Sequence, residues 1–267
     1  MEYTYISSRQ NPSVRRFAAL SSRRAREEEG LFCAEGRKLC REAAGLCRVE
    51  YALLTESRKD DGEYIKLCED SEGEVIVLSD SAFEKISADS SPDGIMFICR
   101  LPEADGEIAA TERVFILDGV RDPGNVGTIL RSAAAFGYDR VILADCADVY
   151  SPKTLRASMG AAFKIKVCSF DGVAEVFPVL HAQGRKVYAS ALRGDALTAG
   201  KDSVRACDCF IVGNEGHGVS DDALKLCDGV ITIPMSAATE SLNAAAAAAV
   251  LMWEYGAYGH GELGIEN

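Results

Sequence analysis

The chain has 267 residues, with 41 Asp and Glu against 29 Lys and Arg for a formal net charge of −12, and 48% of it is apolar. That apolar share, beside 26% charged residues, suffices for one large or two smaller cores and excludes a mostly disordered or collagen-like chain. The longest apolar run, Ala244 to Trp253, is about half of the roughly 20 residues needed to cross a bilayer, and the start (MEYTYISSRQNPSVRR) is polar and arginine-rich, so no membrane span or secretory signal is expected.

Charge is unevenly spread. Residues 1–48 hold ten Lys or Arg against six Asp or Glu, a net of +4 that leaves −16 on the remainder. Arg9, Arg15, Arg16, Arg23, Arg24 and Arg26 supply most of it, with only Glu2 opposing them before position 27. The segment reads either as a phosphate-tracking surface or as a solvated, arginine-rich helix face, and charge alone does not choose. Next come a helical pattern over Glu35 to Gly45, a strand over Val49 to Thr55, a helix over Asp60 to Cys68, a strand over Val75 to Leu78, a helix over Asp80 to Ile86 and a strand over Ile95 to Cys99. This order predicts a small α/β domain over 1–100. Leu101 to Arg113 (LPEADGEIAATER) has Pro, Gly and no apolar periodicity, and reads as a linker.

Beyond it, in 114–267, strands are expected over Val114 to Leu117, Val141 to Ala144, Val187 to Ala191, Phe210 to Val212 and Val230 to Ile233. Helices are expected at roughly 124–137, 153–161, 171–183, 220–227 and 240–256. Near-continuous apolar strands separated by helices imply a parallel sheet covered on both faces, in an α/β fold.

Ten cysteines include no Cys-x-x-Cys pair, and His181, His217 and His260 have no ligand-type helical spacing, so no metal is expected. The cysteines read as reduced, mostly buried apolar residues of a cytosolic protein, with Cys33, Cys40 and Cys47 at heptad spacing suited to one helical stripe.

Parallel α/β sheets bind ligands at the carboxyl ends of their strands, and three loops there carry polar side chains that a turn does not require. The first, Leu117-Asp118-Gly119-Val120-Arg121-Asp122-Pro123-Gly124-Asn125-Val126-Gly127, leads into a helix bearing Arg131. The second is Gly213-Asn214-Glu215-Gly216-His217-Gly218. The third runs from Ile233-Pro234-Met235 to Glu240-Ser241-Leu242-Asn243 before the alanine-rich last helix. Neither a Gly-x-Gly-x-x-Gly fingerprint nor a phosphate-binding Gly-Lys-Ser/Thr is present. Each loop alone has a plain reading: Arg131 as a surface arginine, Glu215 as a salt-bridged loop residue, Ser241 and Asn243 as helix caps.

Together, Asn125-x-Gly127-x-x-x-Arg131, Gly213-Asn214-Glu215-Gly216-x-Gly218 and Ile233-Pro234-Met235 followed by Ser241-Leu242-Asn243 resemble the three motifs of the SpoU (TrmH-type) RNA ribose methyltransferases, in family order and spacing. Ser151-Pro152-Lys153 and Ala157-Ser158-Met159-Gly160-Ala161 extend the likeness across 113–256, and Glu29-Gly30-Leu31-Phe32 with Ala34-Glu35-Gly36 resembles the family's small L30e-like substrate-binding domain. The resemblance implies a SPOUT-type parallel-sheet catalytic domain with a carboxyl-terminal trefoil knot. It implies S-adenosylmethionine as cofactor, held at Gly213, Ile233, Met235 and Leu242, and catalytic roles for Asn125, Arg131, Glu215, Ser241 and Asn243. It also implies a cytoplasmic homodimer acting on RNA, ribosomal RNA before transfer RNA, with a non-catalytic RNA-binding protein on the same fold as the rival. Arg15, Arg16, Arg23, Arg24, Lys153 and Arg156 are the expected RNA contacts.

Overall fold

Apolar strand runs and helix faces in the two parts of the chain build two separate cores. The computed structural model describes residues 2–103, 107–192, 197–198, 204–205, 207–236 and 241–256. It divides into a unit of residues 1–103 with 148–164 and a unit of 104–147 with 165–267.

In the first unit, elements follow as β1 (Thr4–Ile6), α1 (Pro12–Ala19), α2 (Arg23–Glu29), β2 (Leu31–Glu35), α3 (Arg37–Leu46), β3 (Val49–Thr55), α4 (Gly62–Asp70), β4 (Glu74–Leu78), α5 (Asp80–Ile86) and β5 (Ile95–Arg100). The sheet order is β1-β4-β3-β5-β2, with β5 antiparallel to both β2 and β3 and the other pairs parallel. Val14, Phe17, Phe83 and Ile98 fill the core under α1 and α5. Both α1 and α2 begin at side-chain caps, Asn11 and Ser22, which accept the Ser13 and Ala25 N–H groups. The heptad cysteines share no stripe: Cys33 lies on β2, Cys40 on α3 and Cys47 past its end, because β2 interrupts the helical spacing.

The second unit holds β6 (Val114–Asp118), α6 (Pro123–Ala135) and β7 (Arg140–Ala144), after which the chain forms α7 (Pro152–Ser158) in the first unit. It returns as β8 (Lys166–Phe170), α8 (Val176–Ala182), β9 (Val187–Ser190), β10 (Leu197–Thr198), β11 (Cys209–Val212), α9 (Asp221–Leu226), β12 (Gly229–Thr232) and α10 (Ala244–Tyr255). All seven strands are parallel, in the order β10-β12-β9-β11-β6-β7-β8. Three helices start or stop away from their expected limits. α7 ends at Ser158 because Met159 and Gly160 turn left-handed, at φ 53° and 90°. α8 starts at Val176, which puts Pro178, lacking an N–H, in its first turn. α10 starts at Ala244 rather than 240, and Glu240 lies outside the described residues.

The stretch expected to be a linker is anchored over 107–113. Arg140, fully buried, donates to Glu112 Oε2 at 2.6 Å and to the Glu107 carbonyl at 2.9 Å. Arg185 donates to the Ala109 and Glu112 carbonyls at 2.8 and 2.7 Å. Buried guanidiniums persist only when so paired.

Residues 148–164 pack into the first unit for identifiable reasons. Phe32, with no exposed surface, meets Tyr150 and Phe163 at ring-centroid distances of 4.9 and 5.8 Å, and Lys164 pairs with Glu42 at 2.6 Å. Each aromatic pair contributes about 0.5–1.5 kcal/mol beyond its area burial. Arg26 is counted in the basic segment by sequence but is 3% exposed, because its guanidinium spans Asp148 and the carbonyls of Leu20 and Ser21.

Candidate active site

In the second unit the strand order reverses between β6 and β11, the place where parallel α/β sheets open a crevice at their carboxyl ends. Side chains tie the loops there to one another. Asp118, at the end of β6, accepts the Ser220 N–H at 2.7 Å. Gly119 turns with φ 68°, and its carbonyl accepts Asn214 Nδ2 at 2.9 Å. The loop after β11 closes on itself: Asn214 and Gly218 exchange backbone bonds of 2.9 and 2.8 Å, and Asn214 Oδ1 accepts the Gly216 N–H at 2.8 Å. A Cβ on Gly213 would lie 2.1 Å from the Gly218 carbonyl, so only glycine fits.

The loops enclose a cleft of about 340 Å³. Leu192, Val212, Ile233, Met235 and Leu242 make apolar walls, Gly213 and Ser241 line it, and Glu215 is the one carboxylate among its described lining residues. The four positions expected to hold a cofactor therefore share one cavity, of a size and lining suited to a nucleoside-bearing ligand. Burial pushes the thiol of Cys146, just past β7, up to about 12, which disfavours the thiolate that a nucleophile requires.

Three of the five expected catalytic side chains form a chain of hydrogen bonds whose direction is set by a helix end. Asn243 Oδ1 caps α10 by accepting the Ala245 and Ala246 N–H groups at 2.9 and 3.4 Å. Its Nδ2 therefore faces away from the helix and donates to Asn125 Oδ1 at 3.1 Å. Asn125 must then present its own Nδ2, which donates to Glu215 Oε1 at 2.5 Å. Asn125 itself is placed by Asp122, which caps α6 by accepting the Asn125 N–H at 2.9 Å. Ser241 lies on the cleft wall. Arg131 is exposed on α6, outside the cleft lining, with no hydrogen bond or ion pair among the described residues.

In the first unit the expected RNA contacts are exposed but mostly compensated. Arg16 pairs with Glu29 at 2.8 Å, Arg23 with Glu27 and Arg24 with Glu28 at 2.7 Å, and Arg156 with Asp89 at 3.4 Å. Arg15 donates to the neutral Gln10 and so keeps its full charge, and Lys153 is exposed on α7. Sequence reasoning passed over Asn214 as a loop-shaping residue, although it stands inside the second motif. It also missed Leu192, which no motif marks.

Comparison with known proteins agrees with this geometry. Residues 112–253 match the SpoU rRNA Methylase family, and residues 11–96 match the MRM3-like substrate binding domain. The chain is 33% identical over 253 residues to the 23S rRNA (guanosine(2553)-2'-O)-methyltransferase RlmP of Bacillus subtilis (strain 168), covering 93% of this chain and 97% of that protein. The SpoU methyltransferase AviRb from Streptomyces viridochromogenes, solved in complex with the cofactor AdoMet, superposes with a TM-score of 0.84 at 26% identity, covering 92% of this chain and 97% of that one. An AdoMet-bound rRNA methyltransferase from Sinorhizobium meliloti gives a TM-score of 0.83 at 26% identity, covering 95% and 97% of the two chains.

Proposed function

This chain belongs to the SpoU rRNA methylase family, and we propose that it methylates a ribose 2'-hydroxyl of ribosomal RNA, with S-adenosylmethionine as cofactor, through the Asn125–Glu215–Asn243 chain and Arg131. The observation that carries this reading is the fixed donor direction of that chain, ending on Glu215, the one carboxylate among the described lining residues of a largely apolar, nucleoside-sized cleft. Gly213, Ile233, Met235 and Leu242 hold the cofactor, with main-chain groups of the closed loop giving specificity and apolar side chains flanking the base. When bound, S-adenosylmethionine supplies an electrophilic methyl group.

What remains for the protein is to align the ribose oxygen and remove its proton. Glu215 keeps unused lone pairs beyond its bond from Asn125, so it can accept the hydroxyl proton, and Asn125 holds it in place. Arg131 cannot act as a base, because a guanidinium stays protonated. Its uncommitted charge instead clamps the adjoining phosphate and stabilises negative charge developing on the oxygen. Ser241, on the cleft wall, completes the shell.

The first unit is read as the L30e-like domain that grips RNA, with Arg15, Arg16, Arg23, Arg24, Lys153 and Arg156 along its surface. A second copy of the chain is read as covering α10, which is apolar from Ala244 to Trp253 yet leaves Ala246, Val250 and Trp253 exposed in one stripe, Trp253 at 52%. The ten free cysteines suit a reducing cytoplasm. The expected knot involves the chain between β9 and α10, of which 193–196, 199–203, 206 and 237–240 lie outside the described residues. Mapping 2'-O-methyl groups in total RNA from cells with and without the gene tests the function. Loss of one ribosomal RNA methyl group is expected, and an unchanged map would refute it.

A further inference from the structure

Away from the cleft, the first unit contains a second cavity of about 170 Å³. Its apolar walls are Ala18, Cys33, Leu39, Ile86, Met96 and Pro152, drawn from six different elements. Burial pushes the Cys33 thiol up to about 12, so it is a neutral wall rather than a reactive group. Lys85 and Arg156 add two exposed cations. Lys85 has no acidic partner among the described residues, and Arg156 has only the loose contact with Asp89. Glu35, half-buried at the end of β2, also lines the cavity. Its Oε1 accepts the Ser87 hydroxyl and its Oε2 the Ala88 N–H at 2.9 Å, and no Lys or Arg pairs with it among the described residues.

We propose that this cavity binds one unpaired guanine base of the RNA substrate, read by the Glu35 carboxylate and held through its phosphate by Lys85 and Arg156. The proposal deepens the functional reading above and rests on it for the identity of the ligand as RNA. The volume suits a single planar ring system and is below the roughly 300–1,000 Å³ of pockets that enclose whole cofactors. Splayed-out bases are recognised by apolar or aromatic packing on the ring and hydrogen bonds at its edge. A carboxylate accepts only, and each Glu35 oxygen has a lone pair left after its present bond. Guanine offers two adjacent N–H donors on one edge, whereas uracil offers one N–H between two carbonyls that a carboxylate repels. Two cations beside an acceptor are the charge arrangement that a nucleotide requires, with phosphate to the cations and base to the carboxylate. Pro152 and Arg156 belong to the excursion between β7 and β8, so a base seated here touches chain that continues directly into the catalytic sheet.

Two measurements on the full-length protein test this. In titration calorimetry, guanosine 5'-monophosphate is expected to bind about tenfold or more tightly than uridine 5'-monophosphate. Glu35→Gln should remove that preference, and Lys85→Ala should weaken both ligands. Equal affinity for the two nucleotides, or a preference that survives Glu35→Gln, overturns the proposal. In methyl transfer to RNA from cells lacking the gene, Glu35→Gln and a cavity-filling Leu39→Trp should raise KM for RNA about tenfold while leaving cofactor affinity and the saturated single-turnover rate unchanged. Should Leu39→Trp fail to fold, Ala18→Leu fills the same space from a half-exposed position. Unchanged KM in Glu35→Gln and in the folded filler overturns the proposal. A wild-type protein that prefers guanosine monophosphate yet transfers no methyl group to RNA leaves the pocket standing and removes the methyltransferase function instead.

Discussion

Asn243 does two jobs with its two amide atoms, and substitution can separate them. Its oxygen caps α10, and its nitrogen orients Asn125 toward Glu215. Asn243→Ala loses both, and the cap alone contributes about 1 kcal/mol, which for a protein of this size is a fall in melting temperature of about 2–4 °C. Asn243→Asp keeps the cap, since Asp and Asn rank equally there, but it has no donor. Two oxygens then face each other across the 3.1 Å now spanned by a hydrogen bond, and Asn125 relieves this by turning its Nδ2 away from Glu215. A hydrogen bond to a charged group is worth roughly 1.5–3 kcal/mol, so misorienting the carboxylate slows the step by about ten- to a hundredfold. Differential scanning calorimetry and single-turnover methylation at saturating RNA and cofactor read the two effects independently. The expected pattern is a wild-type melting temperature with a slow rate for Asn243→Asp, and both defects for Asn243→Ala. A fast Asn243→Asp enzyme would refute the idea that the helix cap dictates the orientation of the site.

Arg131→Ala should melt and bind cofactor as the wild type does, yet lose about a hundredfold or more in single-turnover rate, and Arg131→Lys should recover only part of it. A wild-type rate for the alanine variant would remove Arg131 from the mechanism. Gly213→Ala should abolish cofactor binding by calorimetry, because its Cβ would collide with the Gly218 backbone at 2.1 Å. Arg15→Ala should weaken RNA binding and lower the slope of log affinity against log salt by about 0.7–0.9, the range for one phosphate contact on single-stranded to duplex nucleic acid, whereas Arg24→Ala, paired with Glu28, should change the slope less. For Glu112, burial raises the carboxyl pKa, but hydrogen bonds from Arg140 and Lys166 outweigh it and hold the group below its ordinary 4.5. The stability it contributes is complete above that ordinary value and is lost as pH falls through the depressed one. Urea unfolding between pH 6 and 3 should therefore show a shallower loss in Glu112→Gln than in the wild type, and equal slopes would refute the assignment.

The strands of the second unit were legible because they are continuous apolar runs, and β6, β7 and β11 lie within a residue or so of their expected bounds. β8 was not, because Lys166 and Ser169 break the run of an edge strand that is only partly covered. α2 (RRAREEE) carries no apolar stripe, and the position that faces inward is Arg26, whose burial depends on Asp148, 122 residues away. The residue types of the site stood in the three loops. The direction of their hydrogen bonds did not, since it follows from which amide atom caps α10, and Asn125 and Asn243 are 118 positions apart. The second cavity had no signature at all, being assembled from single residues of many elements.

The placement of residues 148–164 has a consequence for synthesis on the ribosome. The first unit is not finished when residue 103 emerges, because Phe32 still lacks Tyr150 and Phe163, and Arg26 still lacks Asp148. Some sixty further residues must follow, which at about 5–20 residues per second is roughly 3–12 s. During that interval a guanidinium destined for burial has no counter-ion, and such an unpaired charge costs about 3–5 kcal/mol if it is buried. The amino-terminal unit is therefore expected to close only after β6 and β7 have been made, so the two units mature in an interleaved order. A fragment cut at residue 103 would inherit the same defect permanently, and the two units could not be exchanged between relatives as independent cassettes.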